Sequence, residues 1–339
     1  MKFRLLPYSA IVAGVLCCAA SAVLAFGIVP AMGKLPSNLD VTVELAGTAS
    51  MLNSEAISQG DFANVIAKDV PITVQRHIYV SSATADTAIA HDDVVVSGPG
   101  GMKTKSAHTY AVDRDGLGSG TAPSGTEVET HTGLTVAYPA NPPTDDSMRV
   151  WHAGVQAEFP MAYKGSDTVQ GREVRRYTIT ASGPLKDAAT AASLPPALPK
   201  PVVQQMLPIL ASSAQQALGA ALPTAGEVIP LSYRITQTID LGIDAELGLP
   251  LDGGDRQQII AIAQIGDRAI DLMPVMQTDT KATEASVQTA ADQAQSIGSK
   301  VLLIGTITPL VLFGIGNVLL VAGGVLLRRR TTAAETVRV

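Results

Sequence analysis

The residues of this 339-residue chain with the widest chemical range are its five histidines, His77, His91, His108, His131 and His152. No two of them have the spacing that holds a zinc ion. Both cysteines, Cys17 and Cys18, lie in an apolar N-terminal run, which excludes a thiolate metal site elsewhere. The sequence therefore implies no metal and no cofactor. In "HDD" (91–93), His91 and Asp93 would share one face of a strand, as a metal pair or, in the plainer reading, as a solvated edge. "GLGSG" (116–120) imitates a phosphate loop but leads into "TAPSGTE" rather than a helix, so it lacks the amide cluster that would hold the anion. No nucleophile elbow, P-loop or paired-histidine motif occurs. Asp145, Asp146, Asp167, Glu173, Asp240, Asp244 and Glu246 fall in or beside turns and strands and read as solvated surface. The expectation is a protein without catalytic residues.

These residues sit on a pattern of short strands. "LDVTVELAG", "VPITVQRHIYV", "HDDVVVSG", "TYAVDRDG", "GLTVAYP", "RVWHAGVQAEFPMAYKG", "REVRRYTITASG" and "LSYRITQTIDLG" are rich in β-branched and aromatic residues and partly alternate. "DRDG", "VSGPGGM", "ANPPTDD" and "LDGGD" supply turn chemistry between them. The fold class is mainly β (α+β), a large antiparallel domain over 33–299. Trp151, the single tryptophan, reads as a core anchor, and Arg172, Arg175 and Arg176 as surface partners of Asp167 and Glu173 in a hairpin.

Two stretches depart from the strand pattern. Residues 188–225 form an Ala/Pro-rich helical insertion in which Val203, Met206, Leu207, Leu210 and Leu218 follow 3-to-4 spacing, implying an amphipathic helix kinked near Pro208. That helix either packs on the β body or borders an apolar cavity, which makes those five residues candidate lipid contacts. Residues 280–299 place Val287, Ala290, Ala291, Ala294 and Ile297 on one face of a juxtamembrane helix.

The apolar residues, 46% of the chain, concentrate at its ends, and mean hydropathy is +0.25. Residues 5–32 and 300–327, free of charge apart from Lys300 at the start of the second, are long enough to span a hydrocarbon core of about 30 Å. Ala20 and Ala22 around Ser21 resemble a signal-peptidase site, but the first run continues well past them, which favours an uncleaved anchor. Ala10, Gly14, Cys18 and Ala22 recur every fourth residue, a small-residue ridge suited to helix packing in a membrane. Basic residues flank both runs, in the N-terminus (1–4) and the tail (328–339). Both ends are therefore expected in the cytoplasm, with the domain between them on the periplasmic side of the plasma membrane. The two ends carry six basic residues and Glu335, so about −11 of charge falls on the rest, given a chain total of −6. Such an acidic domain argues against nucleic acid as a partner.

Taken in order, "GTASML", "VPITVQRHIYV", "TYAVDRDG", "VAYP", "YKGSDTVQGREVRRYTI" and "YRITQTIDLGIDAELG" resemble the actinobacterial porin-A-like family of unknown function, which includes the mycobacterial polar growth factor A. The Ala/Pro-rich segment has no counterpart in that resemblance. What it implies is an envelope protein that binds or helps traffic an envelope glycolipid, with trehalose monomycolate the type case. The alternative is a non-catalytic scaffold or accessory subunit of a lipid transporter or cell-wall synthesis complex. A channel formed by helical oligomers ranks below both, since Asn317 is the lone polar candidate for a pore lining.

Overall fold

The computed structural model describes residues 6–25, 34–61 and 64–336, in which the two-residue alternation of the sequence becomes one curved antiparallel sheet. Its long strands are β1 (Asp40–Leu52), β2 (Ile66–Ala83), β3 (Thr87–Ser97), β4 (Lys103–Asp113), β6 (Ala157–Val169), β7 (Arg172–Pro184), β9 (Val228–Asp244), β10 (Pro250–Ile265) and β11 (Arg268–Ala282). Two short strands are β5 (Arg149–His152) and β8 (Ala197–Pro199). The order across the sheet is β4-β3-β2-β1-β11-β10-β9-β7-β6-β5, with β8 paired to β9. First and last strands pair, Gly47 opposite Thr280, so the β unit begins and ends side by side.

The sheet is a half-barrel. Register shifts at Ala49/Met51, Val80/Ser82, Tyr163/Gly165 and Ile259/Ile260 mark bulges, which bend the strands that carry them. The two ends of the strand order are joined by coil. Glu129 donates its N–H to Thr109 O on β4, while Leu134 N–H donates to Arg149 O on β5 and Trp151 N–H returns to Leu134 O. Five residue steps separate Glu129 from Leu134, a reach of about 17 Å at most, so the outer strands curl toward each other. This corrects one strand expectation: "GLTVAYP" forms no strand but contributes Leu134 to an isolated bridge with Val150.

β10 and β11 were not anticipated, and "LDGGD", read as a turn, lies inside β10. The reason is close approach: a Cβ on Gly253 would stand 2.8 Å from Asp240 O of the neighbouring strand. In the 188–225 region the chain forms α3 (Ala188–Ala192), α4 (Lys200–Met206) and α5 (Ser212–Ala221), with α2 (Ser54–Gln59) earlier in the chain. The expected kink at Pro208 is a full break, because a 3₁₀ turn over Leu207–Ile209 ends α4 before α5 starts. α4 and α5 seal one part of the inner face, where Val203, Leu210, Leu218, Ile229, Ile235 and Ile259 pack as a buried core.

By compactness the chain divides into residues 35–292 and a second unit of 1–34 with 293–339. In the latter, α1 (Leu6–Val23) and α7 (Thr308–Thr336) run antiparallel: Gly14 meets Gly316, and Ser21 Oγ donates to Pro309 O at 2.8 Å. Between the units in sequence lies α6 (Glu284–Leu302), which starts later than the expected 280 because Thr280 is still paired in β11. Among the described residues one helix, Glu284–Ala322, is long and apolar enough to cross a membrane, and the described apolar part of α1, Ile11–Val23, is shorter. Lys2, Arg4, Arg338 and the expected boundaries at 5 and 32 lie outside the described residues, as do the side chains of Ala10, Arg328, Arg329 and Arg330.

Candidate functional site

Directly opposed residues in an antiparallel ladder share a face, so the register identifies what lines the concave side. Asp92 opposes Ile78, two residues from Arg76, and Arg76 opposes Val43. Thr280 opposes Asp255, and Asp255 opposes Ile239, two residues from Gln237. These residues lie on the face of the buried Ala90, Tyr110, Ile179 and Ile259, hence inside the curve. His152, opposite Ala157 on β5, reaches the same space through Gln237.

The polar side chains form two linked groups. Arg76 grips Asp92 in a bidentate pair, Nε to Oδ1 at 2.8 Å and Nη2 to Oδ2 at 2.6 Å. The carboxylate and its hydrogen bond hold the guanidinium above its ordinary value against the opposing cost of burial. Arg76 nevertheless keeps 37% of its side-chain surface, so the pair lines a space rather than a sealed core. The second group is an oriented chain. Val155 N–H donates to His152 Nδ1 at 3.1 Å, which leaves the proton on Nε2 to donate to Gln237 Oε1 at 2.6 Å. Gln237 Nε2–H then donates to Asp255 Oδ2 at 2.6 Å. Burial lowers the His152 pKa, keeping the ring neutral. Burial also pushes the Asp255 carboxyl up to about 6, with Asp279 adding to the rise while Gln237 and the Arg76 charge oppose it. Asp255 Oδ1 is buried and takes no hydrogen bond from the described residues.

Around these groups the concave face is apolar and incompletely covered. Val41, Val43 and Leu45 on β1, Val74 and Ile78 on β2, and Val94 and Val96 on β3 point inward, yet all are only half-buried. Their outward neighbours Thr42, Glu44 and Thr48 are exposed, so the alternation itself is regular.

The candidates from the sequence fall elsewhere. Val203, Met206, Leu210 and Leu218 are at most 5% exposed and belong to helix-on-sheet packing. Met206 also lines an apolar cleft of about 20 Å³ with Val202, Leu198 and Tyr233, room for a water-sized guest but not an acyl chain. Leu207 borders an open groove of about 300 Å³ beside Lys200 and Gly219. In the helical unit Gly14 and Cys18 face Gly316, but Ala22 is exposed and Ser21 takes the place expected of it. His91 and Asp93 lie on the convex face, where His91 stacks on Tyr79 and bonds Ser81 and Thr109. In the hairpin Arg176 does pair with Asp167, at 2.8 Å, and also with Asp252; Arg172 takes the buried Asp244, with Glu246 at 3.8 Å.

Arg76, Asp92, Gln237 and Asp255 escaped the sequence reading, although a signal was present. In "ITVQRHIYV" and "AIAHDDVVV" a charged residue occupies the apolar parity of the strand, Arg76 between Val74 and Ile78, and Asp92 between Ala90 and Val94.

A family model described as porin PorA matches residues 6–325. The chain belongs to this family. The family and the apolar helix together make it a membrane-associated protein. No curated protein matches. Among solved structures the chain is similar to a MaoC domain protein dehydratase from Chloroflexus aurantiacus J-10-fl, at 10% identity over 82% of this chain and 92% of that one, with a TM-score of 0.12. An acyl-ACP thioesterase from Bacteroides thetaiotaomicron VPI-5482 matches at 7% identity over 73% of this chain and 77% of that one, with a TM-score of 0.13. Likenesses this faint carry no argument about fold or chemistry. The sheet of this PorA-family chain is also unlike a membrane barrel. Its convex face carries the ion pairs Arg234–Asp271 and Arg256–Asp240, where hydrocarbon contact would demand apolar side chains.

Proposed function

We propose that this PorA-family protein is a cell-envelope protein held in the plasma membrane by two helices, α1 and the Glu284–Ala322 helix. In this reading both termini are cytoplasmic, and the β domain binds or helps traffic an envelope glycolipid on the periplasmic side. The observation that carries it is the half-buried row Val41, Val43, Leu45, Val74, Ile78, Val94 and Val96 on the concave face. Apolar side chains left half-wet inside a curved sheet gain free energy from an acyl chain laid over them, roughly 25 cal/mol per Å² covered. The adjacent Arg76–Asp92 pair and the unmatched Asp255 Oδ1 would meet the polar head, the latter as an acceptor for a hydroxyl. Support for the anchor comes from the backbone approach of Gly14 and Gly316 and from Leu310, Val311, Phe313, Val318 and Val321, which stay exposed. The test is extraction of the full chain, purified in mild detergent, followed by mass spectrometry. A lipid at near one per chain is expected, and its loss in Val43→Asp and Val94→Asp; a lipid-free protein would overturn the reading.

A further inference from the structure

At the β4 edge of the sheet, beside the Arg76–Asp92 pair, with His108 opposite Asp92, three side chains stand in the order nucleophile, base and carboxylate. Ser106 and His108, two residues apart on β4, share the concave face. Ser106 Oγ lies 3.0 Å from His108 Nε2, and His108 Nδ1 lies 3.0 Å from both oxygens of Glu129. A carboxylate accepts only, so Nδ1 carries the proton; the Nε2 lone pair is then left to accept from the Ser106 hydroxyl. Glu129 is itself fixed, since its N–H is bonded to Thr109 O at 2.8 Å. His108 is held parallel to Tyr110, with ring centroids 6.1 Å apart. Asp187, whose Oδ1 caps α3 through Thr190 N–H, places Oδ2 3.7 Å from Nε2. Ser106 is half-buried and therefore reachable.

The edge strand also offers a donor for a developing oxyanion. Thr109 O accepts from Glu129 N–H, Ala111 O from Gly120 N–H, and Asp113 N–H donates to Gly118 O, so odd-numbered residues of β4 turn their backbone groups away from β3. The same alternation directs the Ala107 N–H to that side. It follows Ser106 immediately, the position from which a backbone amide serves the oxyanion in acyl transfer.

We propose that Ser106, His108 and Glu129 hydrolyse a carboxylic ester whose acyl chain lies along Val94 and Val96, the inward cross-strand partners of Ser106 and Thr104. Placement of the acyl chain rests on the lipid reading; the nucleophile does not. Ser106 Oγ attacks the carbonyl carbon as its proton passes to His108 Nε2. The tetrahedral intermediate expels the alcohol, which leaves with that proton as the C–O bond breaks. Water then attacks the acyl-serine, its proton passing through His108 back to Ser106 Oγ, and the carboxylic acid departs. Glu129 is a positioning residue that fixes the tautomer of His108.

The experiment uses the full chain in detergent with a small fluorophosphonate probe, then with p-nitrophenyl acetate and decanoate. Expected are a single adduct on the Ser106 peptide, its loss in Ser106→Ala, and a drop of about 100-fold or more in labelling rate in His108→Gln. Glu129→Gln should lower kcat on the acetate with KM and melting temperature unchanged, and Glu129→Asp should restore part of it. No adduct on a chain that keeps its β circular-dichroism signal would overturn the proposal, as would labelling that survives Ser106→Ala. Ser106-dependent turnover with equal rates on acetate and decanoate would support the nucleophile and overturn the acyl placement, and with it the lipid strip.

Discussion

Gly14 of α1 and Gly316 of α7 meet backbone to backbone: a Cβ on Gly14 would stand 2.8 Å from Gly316 O, and one on Gly316 would stand 2.6 Å from Cys18 Sγ. Without water to expel, helices in a bilayer associate through such close packing, and a large side chain at the contact removes it. Gly316→Leu is expected to separate the two helices at a cost of about 1–3 kcal/mol, read as earlier tryptic release of the N-terminal helix in micelles. Ala22→Leu, at an exposed position, should leave the digestion pattern unchanged.

The Arg76–Asp92 pair should behave as a half-wet internal ion pair. Asp92→Asn strands the guanidinium against an apolar wall. Because Arg76 is 37% exposed, solvent screening reduces the penalty from that of a fully buried charge to about 1–3 kcal/mol. Replacing both partners, Arg76→Met with Asp92→Leu, should recover most of the loss in a urea titration. Full additivity of the two single changes would show that the residues do not interact.

Asp255 sets a pH dependence of known sign. Its folded-state pKa, about 6, lies above the unfolded value of 3.8, so the folded protein binds this proton more tightly. Stability from this group is therefore present below about pH 4, falls between pH 4 and 6, and stays lower above. The span corresponds to a loss of about 3 kcal/mol on an order-of-magnitude basis. Asp255→Asn should raise the melting temperature at pH 7.5 and change little at pH 4. A larger gain at acid than at neutral pH would contradict the assignment.

Leu218, 0% exposed on the sheet-facing side of α5, is a core residue in this structure. Leu218→Ala should cost about 2–5 kcal/mol, seen as a shifted denaturation midpoint with an unchanged slope. If the change were neutral for stability but abolished lipid recovery, residue 218 would belong to the ligand surface after all.

Much of the sheet could be read from alternation. In "VTVELA" every second residue faces inward, and the same alternation runs from Tyr177 to Ser182 of β7. β10 was hidden because Gly253 and Gly254 signal a turn when seen locally, whereas in the sheet Gly253 makes room for the carbonyl of Asp240. The closure of the half-barrel was illegible for a different reason. It depends on single hydrogen bonds from Glu129 and Leu134 to strands distant in sequence, and such contacts leave no period. The site was half legible. Arg76 and Asp92 violate the apolar parity of their strands, but only the register reveals that two such violations meet. The amphipathic spacing of Val203, Met206, Leu210 and Leu218 marked a buried face correctly as apolar without saying whether protein or ligand covers it. Here the sheet covers it.

The central claim, that the concave face holds an acyl chain, is tested most directly by neighbouring positions on opposite faces of β1. Val43 points into the curve and Thr42 away from it. A photoreactive benzoylphenylalanine placed at either position in the full chain, irradiated in cells and analysed by intact mass, should acquire a lipid adduct at 43 and none at 42. Equal labelling of both positions, or of neither, would contradict the account.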